Sequence, residues 1–156
     1  MRRYTNFLEE AQLVFSLEKF SYKTSERQKA NRKVYVADTG LRNAISFRFS
    51  QDLGRLAENV VALHLHHQAR ELFYFGNGSE CDFIVKQNGK FLPVQVSYSN
   101  LSDDKLRARE INGLTTALKH LKQKEGLLLT DDVELEEHVE KFRIRLQPVW
   151  KFLLGE

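Results

Sequence analysis

Residues 81–98 read CDFIVKQNGKFLPVQVSY, and the fold turns on how this stretch is read. Two apolar runs flank Asn88-Gly89, a dipeptide that favours a two-residue hairpin turn. The alternation predicts strands over residues 81–86 and 91–98. In the first, Asp82 shares a face with Ile84 and Lys86. In the second, Leu92, Val94, Val96 and Tyr98 make a core face. Gln95 and Ser97 face the other way, about 7 Å apart along the strand. Pairing these strands could bring Asp82 and Gln95 together.

Working outward, residues 72–75 make a third strand before the turn Gly76-Asn77-Gly78. Upstream, residues 52 to about 70 are the clearest helix. Leu53, Leu56, Ala57, Val60, Val61 and Leu63 sweep one apolar arc, and Arg55, Asn59, His66 and Arg70 lie opposite. Glu58 projects at the edge of the buried arc, where it could join Asp82 and Gln95. Downstream, Ser102 can cap a helix that runs to about Lys122, with Asp103 and Asp104 in its first turn. That helix buries Leu106, Leu114, Ala117, Leu118 and Leu121. Glu110 falls inside its apolar arc and needs a partner. Arg55, Arg107 or a hydroxyl could satisfy it structurally, or it could add an acid to the Glu58/Asp82 site. Residues 126–130 and 142–146 are further strands, separated by an acidic stretch at 131–140. A short amphipathic end follows at 149–154. This order implies an α/β fold with a mixed sheet flanked by helices.

The first third differs in charge. Residues 1–50 carry ten Lys/Arg against five Asp/Glu, whereas the remainder is close to balance. Five of those cations, Lys23, Arg27, Lys29, Arg32 and Lys33, fall in residues 23–33. This segment is expected to be an exposed basic loop that can meet nucleic-acid phosphate. An ordinary solvated face is the alternative. Residues 13–20 could be extended, and residues 34–37 form a short strand.

The whole chain has 156 residues, 42% apolar and 29% charged. That is enough to bury a core without disulfides or metal, and it excludes a mainly disordered chain. No apolar run approaches the ~20 residues of a membrane span, and MRRYTNFLEEAQ at the start lacks the apolar core and cleavage site of a secretory signal, so none is expected. The single cysteine, Cys81, fits a reducing cytoplasm. His64, His66 and His67 lack the spaced fourth ligand of a zinc site. No phosphate loop ending in Gly-Lys-Ser/Thr occurs, so the chain has no nucleotide site of its own.

GRLAEN at 54–59, GSECDFIV at 78–85 and LPVQVSYS at 92–99, on helix, strand and strand, resemble the PD-(D/E)XK nuclease-like fold. The chain more closely resembles the C-terminal domain of unknown function, family 4143, that follows the ATPase module of prokaryotic AAA-type ATPases. VYVADTGLRNAISFRFSQDLGRLAEN and the closing PVWKFLL carry this likeness. The resemblance implies a metal and catalytic set on Glu58, Asp82 and Gln95. The family's lysine position falls on Ser97, which brings no cation, and Gln95 brings no negative charge. Lys86 or Lys90 could supply the missing charge. Residues 1–50 would be a partial winged-helix-like segment and 51–156 the nuclease-like domain.

Three readings follow. The first is a degenerate nuclease-like domain that serves an ATPase as a nucleic-acid-binding or interaction module, with Mg²⁺ or Mn²⁺ at most weakly bound. The second is an active Mg²⁺-dependent nuclease with a displaced lysine. The third is a protein-interaction domain. Apolar residues Phe7, Leu8, Val14 and Phe15, lacking the rest of a winged helix, are expected to promote a homodimer.

Overall fold

The computed structural model describes residues 2–40, 53–68, 71–98 and 103–155. In chain order these form α1 (Arg2–Glu10), β1 (Val14–Lys19), α2 (Thr24–Lys29), β2 (Lys33–Val36) and α3 (Leu53–Gln68). Then come β3 (Glu71–Asn77), β4 (Ser79–Gln87), β5 (Lys90–Ser97), α4 (Asp104–Leu121), β6 (Glu125–Thr130), β7 (Leu135–Val139), β8 (Phe142–Pro148) and α5 (Val149–Leu154). The architecture is mixed α/β. One eight-stranded sheet has the order β2-β1-β3-β4-β5-β6-β8-β7.

The centre of the sheet follows the sequence reading. β3, β4 and β5 are antiparallel neighbours, and the β4–β5 hairpin closes with Gln87 opposite Lys90. Its turn residues Asn88 and Gly89 have φ of 53° and 76°, the left-handed pair that a two-residue turn needs. β5 pairs parallel with β6, so the chain must cross over, and α4 makes the crossing. β6 also lies parallel to β8. A strand set between parallel neighbours is covered on both faces, and its Leu127, Leu128 and Leu129 are all buried.

Two apolar layers result. On one face, Leu114, Ala117, Leu118 and Leu121 of α4 pack on Phe75, Ile84, Leu128, Ile144 and Leu146. On the other, Val61, Ala62 and Leu65 of α3 pack on Leu17, Tyr35, Phe83, Val94, Leu127 and Leu129. α5 joins the α3 face through Val149, Phe152 and Leu153.

Several expectations change. The acidic stretch at 131–140 contains β7, which pairs antiparallel with β8. Glu136 lies opposite Arg145 and His138 opposite Arg143, so the charges decorate an edge strand rather than a loop. Residues 2–40, the described part of the first segment, join the sheet. β1 and β2 are antiparallel, but β1 also runs parallel to β3 through Glu18–Phe73 and Lys19–Tyr74. The segment extends the main sheet, and β2 is its edge. Residues 23–33 are not a plain loop, because they hold α2 and the first residue of β2. Of the four residues expected to promote association, Phe7 and Leu8 are exposed and Val14 is half-buried. Phe15 is half-buried and stacks on His66 at 4.3 Å. The N-cap of α4 is Asp103, whose carboxylate accepts from Lys105 N at 2.9 Å and Leu106 N at 3.2 Å. Ser102, the expected cap, lies outside the described residues. Among the described residues no helix is long and apolar enough to cross a membrane.

α4 comes closest to the sheet at Gly113, where a Cβ would sit 2.1 Å from the Glu80 carbonyl oxygen. Backbone cannot yield as a side-chain tip can. Gly113→Ala is therefore expected to destabilise the fold by roughly 1–3 kcal/mol, the range for overpacking a tight contact. Gly54, on α3, has nothing within 4 Å of its virtual Cβ. Gly54→Ala should instead stabilise by about 0.5–1 kcal/mol through the lost backbone freedom of a helical glycine. Urea denaturation of both variants checks the opposite signs.

Candidate functional site

The site is a polar cleft of about 730 Å³ that meets α3, β2, β4, β5 and α4. Its lining includes Lys33, Arg55, Glu58, Asp82, Gln95, Ser97, Arg109 and Glu110. Glu58, Asp82 and Gln95, expected to form one set, therefore share one cleft.

The irregular pairing of β3 and β4 positions Asp82. Phe73 pairs with Ile84, but Phe75 pairs with Cys81. β4 thus spends two residues, Asp82 and Phe83, against Tyr74 alone, which is a bulge. Bulges re-aim side chains. Cys81 consequently shares a core layer with Ile84, while Phe83 enters the other layer. The simple alternation that groups Asp82 with Ile84 and Lys86 fails at this point. Asp82 Oδ2 accepts from Val96 N at 3.0 Å, across to β5.

The feature absent from the sequence reading is Lys33. Its Nζ lies 3.0 Å from Asp82 Oδ1, 3.3 Å from Glu58 Oε1 and 2.7 Å from Glu80 Oε1. The sequence groups Lys33 with the exposed phosphate-binding cations, but its side chain is only 22% exposed. The cause is the pleat of β2. Lys33 and Tyr35 point to the same side, toward α3, and Tyr35 is buried there. Tyr35 Oη donates to Glu58 Oε1 at 2.7 Å. Burial first, and then the Glu58 carboxylate, push the Tyr35 phenol far above its ordinary value, so it remains a donor. Burial works against the charge of Lys33, but the Asp82 and Glu58 carboxylates outweigh it and hold the ammonium above the usual lysine range. Burial, reinforced by the Glu58 charge, raises Asp82 to about 6 against the opposing pull of Lys33 and the Val96 N–H.

Asn59 is the second correction on α3. Helical spacing puts it on the solvated side, yet it is buried. Its Oδ1 accepts from Val36 N and its Nδ2 donates to Val36 O, both at 2.9 Å. One amide thus satisfies both backbone groups of an edge-strand residue, which explains why a polar residue is buried there.

Gln95 connects the cleft to α4. Its Oε1 accepts from Asp82 N at 3.0 Å and its Nε2 donates to Glu110 Oε2 at 2.5 Å. The partners fix the amide orientation, since an N–H demands the oxygen and a carboxylate demands the NH₂. Glu110, buried as its place in the apolar arc requires, also accepts from Arg109 Nη2 at 2.6 Å. Its partners are therefore Gln95 and Arg109. Arg107 pairs with Glu137 instead.

The other candidates fall away from the cleft. Lys86 pairs with Glu71 at 2.9 Å across β3 and β4, and Lys90 sits beyond the hairpin turn. Neither lines the cleft, and Lys33 is the lysine whose amine reaches Asp82. Lys23 pairs with Glu26 at 3.2 Å, and Arg27 donates to Thr24 Oγ1 at 3.4 Å, both on or beside α2. Lys29 is exposed at the end of α2. Arg32 turns toward β1, 3.1 Å from Glu18 Oε1. His64 and His66 pack against Phe152 and Phe15. Cys81 is fully buried, and burial pushes its thiol far up, away from the thiolate a nucleophile needs.

A divalent cation on Glu58, Asp82 and Gln95 would require oxygens at about 2.0–2.1 Å in near-octahedral array if it were Mg²⁺. Both Asp82 oxygens are engaged, Glu58 Oε1 takes two donors, and Gln95 Oε1 takes the Asp82 N–H. Among the described residues no group of three His, Cys, Asp or Glu is arranged to hold a metal. As arranged, the donor set does not fit the ion.

The sheet and cleft define an α/β domain with an acidic node closed by one lysine. Residues 53–149 match the model described as "Domain of unknown function (DUF4143)", and residues 1–52 match "Domain of unknown function (DUF8612)". The chain belongs to the DUF4143 family. It is 33% identical, over 97% of its length, to the uncharacterized protein MJ1544 of Methanocaldococcus jannaschii. It spans 35% of that relative's length.

Because Gln95 and Glu110 share one hydrogen bond, their identities are coupled. Gln95→Glu sets a carboxylate against a buried carboxylate and is expected to destabilise the protein. Glu110→Gln in the same chain restores an amide–carboxylate pair. The double-mutant cycle in urea should return a favourable coupling of roughly 1–3 kcal/mol, and additive losses would show that the two residues act independently.

Proposed function

We propose that this chain is a PD-(D/E)XK nuclease-like domain that has lost catalysis and binds nucleic acid beside an AAA-type ATPase module. The convergence of Glu58, Asp82 and Gln95 in one cleft, with Arg55 and Arg109 on its lining, carries the reading. These are the positions that the family resemblance matches to the nuclease set. In this reading Arg55 and Arg109, set among the acids Glu58, Glu80, Asp82 and Glu110 on the same lining, are the side chains that meet a phosphodiester backbone. The ATPase partner rests on the resemblance to C-terminal domains that follow such modules.

The chemistry of the cleft argues for binding without cleavage. Hydrolysis of a phosphodiester needs an activated water and a positive group near the phosphate. Ser97 stands at the lysine position, and Gln95 is neutral with both ends of its amide in use. Lys33 is the cation at hand, but an ammonium has three N–H donors and three carboxylates surround this one. None is left to meet a phosphate oxygen.

The test is duplex and single-strand binding as a function of salt. Replacing Arg55 and Arg109 with Ala should lower the slope of log affinity against log salt by about two, near one for each phosphate no longer neutralised. Neutralising Lys23, the N-cap of α2, with Arg27 and Lys29 on that helix should lower it further. Unchanged slopes would remove the cleft and α2 from the interface and leave a protein-interaction domain. With Mg²⁺ or Mn²⁺ no cleavage is expected. Robust cleavage lost on Asp82→Ala would replace this reading with an active nuclease, and Lys33 would be its displaced lysine.

A further inference from the structure

The cleft presents a charge problem that its nuclease-like reading leaves open. Glu58, Glu80 and Asp82 come from α3 and β4, and their oxygens converge on a single point. Three carboxylates in one place need a cation. In an acidic metal site a divalent ion fills this role. Here the point of convergence is Lys33 Nζ, at 2.7 to 3.3 Å from one oxygen of each.

We infer that the Lys33 ammonium is the resident cation of this site and excludes a divalent metal from it. Three observations support this. The ammonium spends all its N–H donors on these carboxylates, so it is coordinated rather than merely nearby. Further bonds hold two of the three ligands, Glu58 and Asp82, in place. Tyr35 fixes Glu58, Val96 N–H fixes Asp82, and Gln95 is tied between Asp82 N and Glu110. The ammonium also lies over the Tyr74 ring, its Nζ 5.8 Å from the ring centre, and the Tyr74 hydroxyl donates to Asn31 O at 2.5 Å.

An ammonium and a divalent ion cannot share these oxygens. A metal bound to Glu58 and Asp82 would lie within a few ångströms of Nζ, at a strongly repulsive separation. Metal binding therefore requires Lys33 to leave. A cleft held in this state has no metal with which to activate water, and its occupancy can be tested without nucleic acid. Failure here is thus separate from a failure of nucleic-acid binding.

The experiment is Mn²⁺ titration of the full chain without nucleic acid, following the paramagnetic resonance signal of the free ion. The wild-type chain is expected to take up no Mn²⁺ at this site at millimolar concentration. Lys33→Met keeps the length of the stem and removes the charge. It should bind one Mn²⁺ at least about tenfold more tightly than wild type, the loss of a competing ligand, and Asp82→Asn in that background should abolish the gain. Wild-type binding as tight as that of Lys33→Met, or no binding by a folded Lys33→Met, would overturn the inference. A second measurement on the wild-type chain does not depend on that variant folding. Lys33 should resist acylation by an amine-reactive ester, read by peptide mass spectrometry, equally with and without Mn²⁺. Ready acylation, or exposure of Lys33 by Mn²⁺, would also overturn it.

Discussion

The arrangement around the cleft depends on one ammonium group. Lys33 connects β2, where it resides, to α3 through Glu58 and to β4 through Glu80 and Asp82. Without it, the carboxylates would repel one another. Asp82, 10% exposed, would be left as a charge without its counter-ion, whereas Glu80, 59% exposed, stays solvated. The same group sets where α3 can lie. Its Glu58 must meet Lys33 and Tyr35 while Val61, Ala62 and Leu65, on the core side, meet the sheet.

The polar contacts between α3 and β2 also resolve a difficulty of edge strands. An edge presents unpaired backbone groups that invite another strand. β2 is the edge of this sheet, and Asn59 occupies both backbone groups of Val36. The helix therefore guards the edge as well as covering the core. On the opposite edge, β7 uses charge instead, with Glu136 and His138 facing the arginines of β8.

The sequence disclosed the centre of the fold because period-two alternation and the Asn88-Gly89 turn are local signals. β3, β4, β5, α4, β6 and β8 stand where those patterns put them. It also brought Glu58, Asp82 and Gln95 to one place, although the Asp82 bulge is invisible to alternation. Glu110 is marked by its position in an apolar arc, but its partners are not readable, since Gln95 is far away in sequence. Lys33 escapes the sequence for a specific reason. Reading β2 from Val34 leaves Lys33 in the preceding basic run. Beginning the strand one residue earlier puts it on the face of Tyr35. Asn59 escapes because nothing near it in sequence shows that β2 covers that side of α3. β7 is hidden by its acidic residues, which suit an exposed edge as well as a loop.

The path of the chain through the cleft bears on how such proteins are inherited. The two family models meet between residues 52 and 53. Lys33 and Tyr35 lie before that join, and Glu58, Glu80 and Asp82 lie after it. A seam that is clean along the chain therefore cuts through a charge-balanced cluster in space. A gene fragment encoding only the second part would code for three converging acids without the ammonium that they meet here. One encoding only the first would code for a sheet edge with its lysine and asparagine-bound backbone left bare. In this chain the first part supplies the ammonium that the acids of the second part meet.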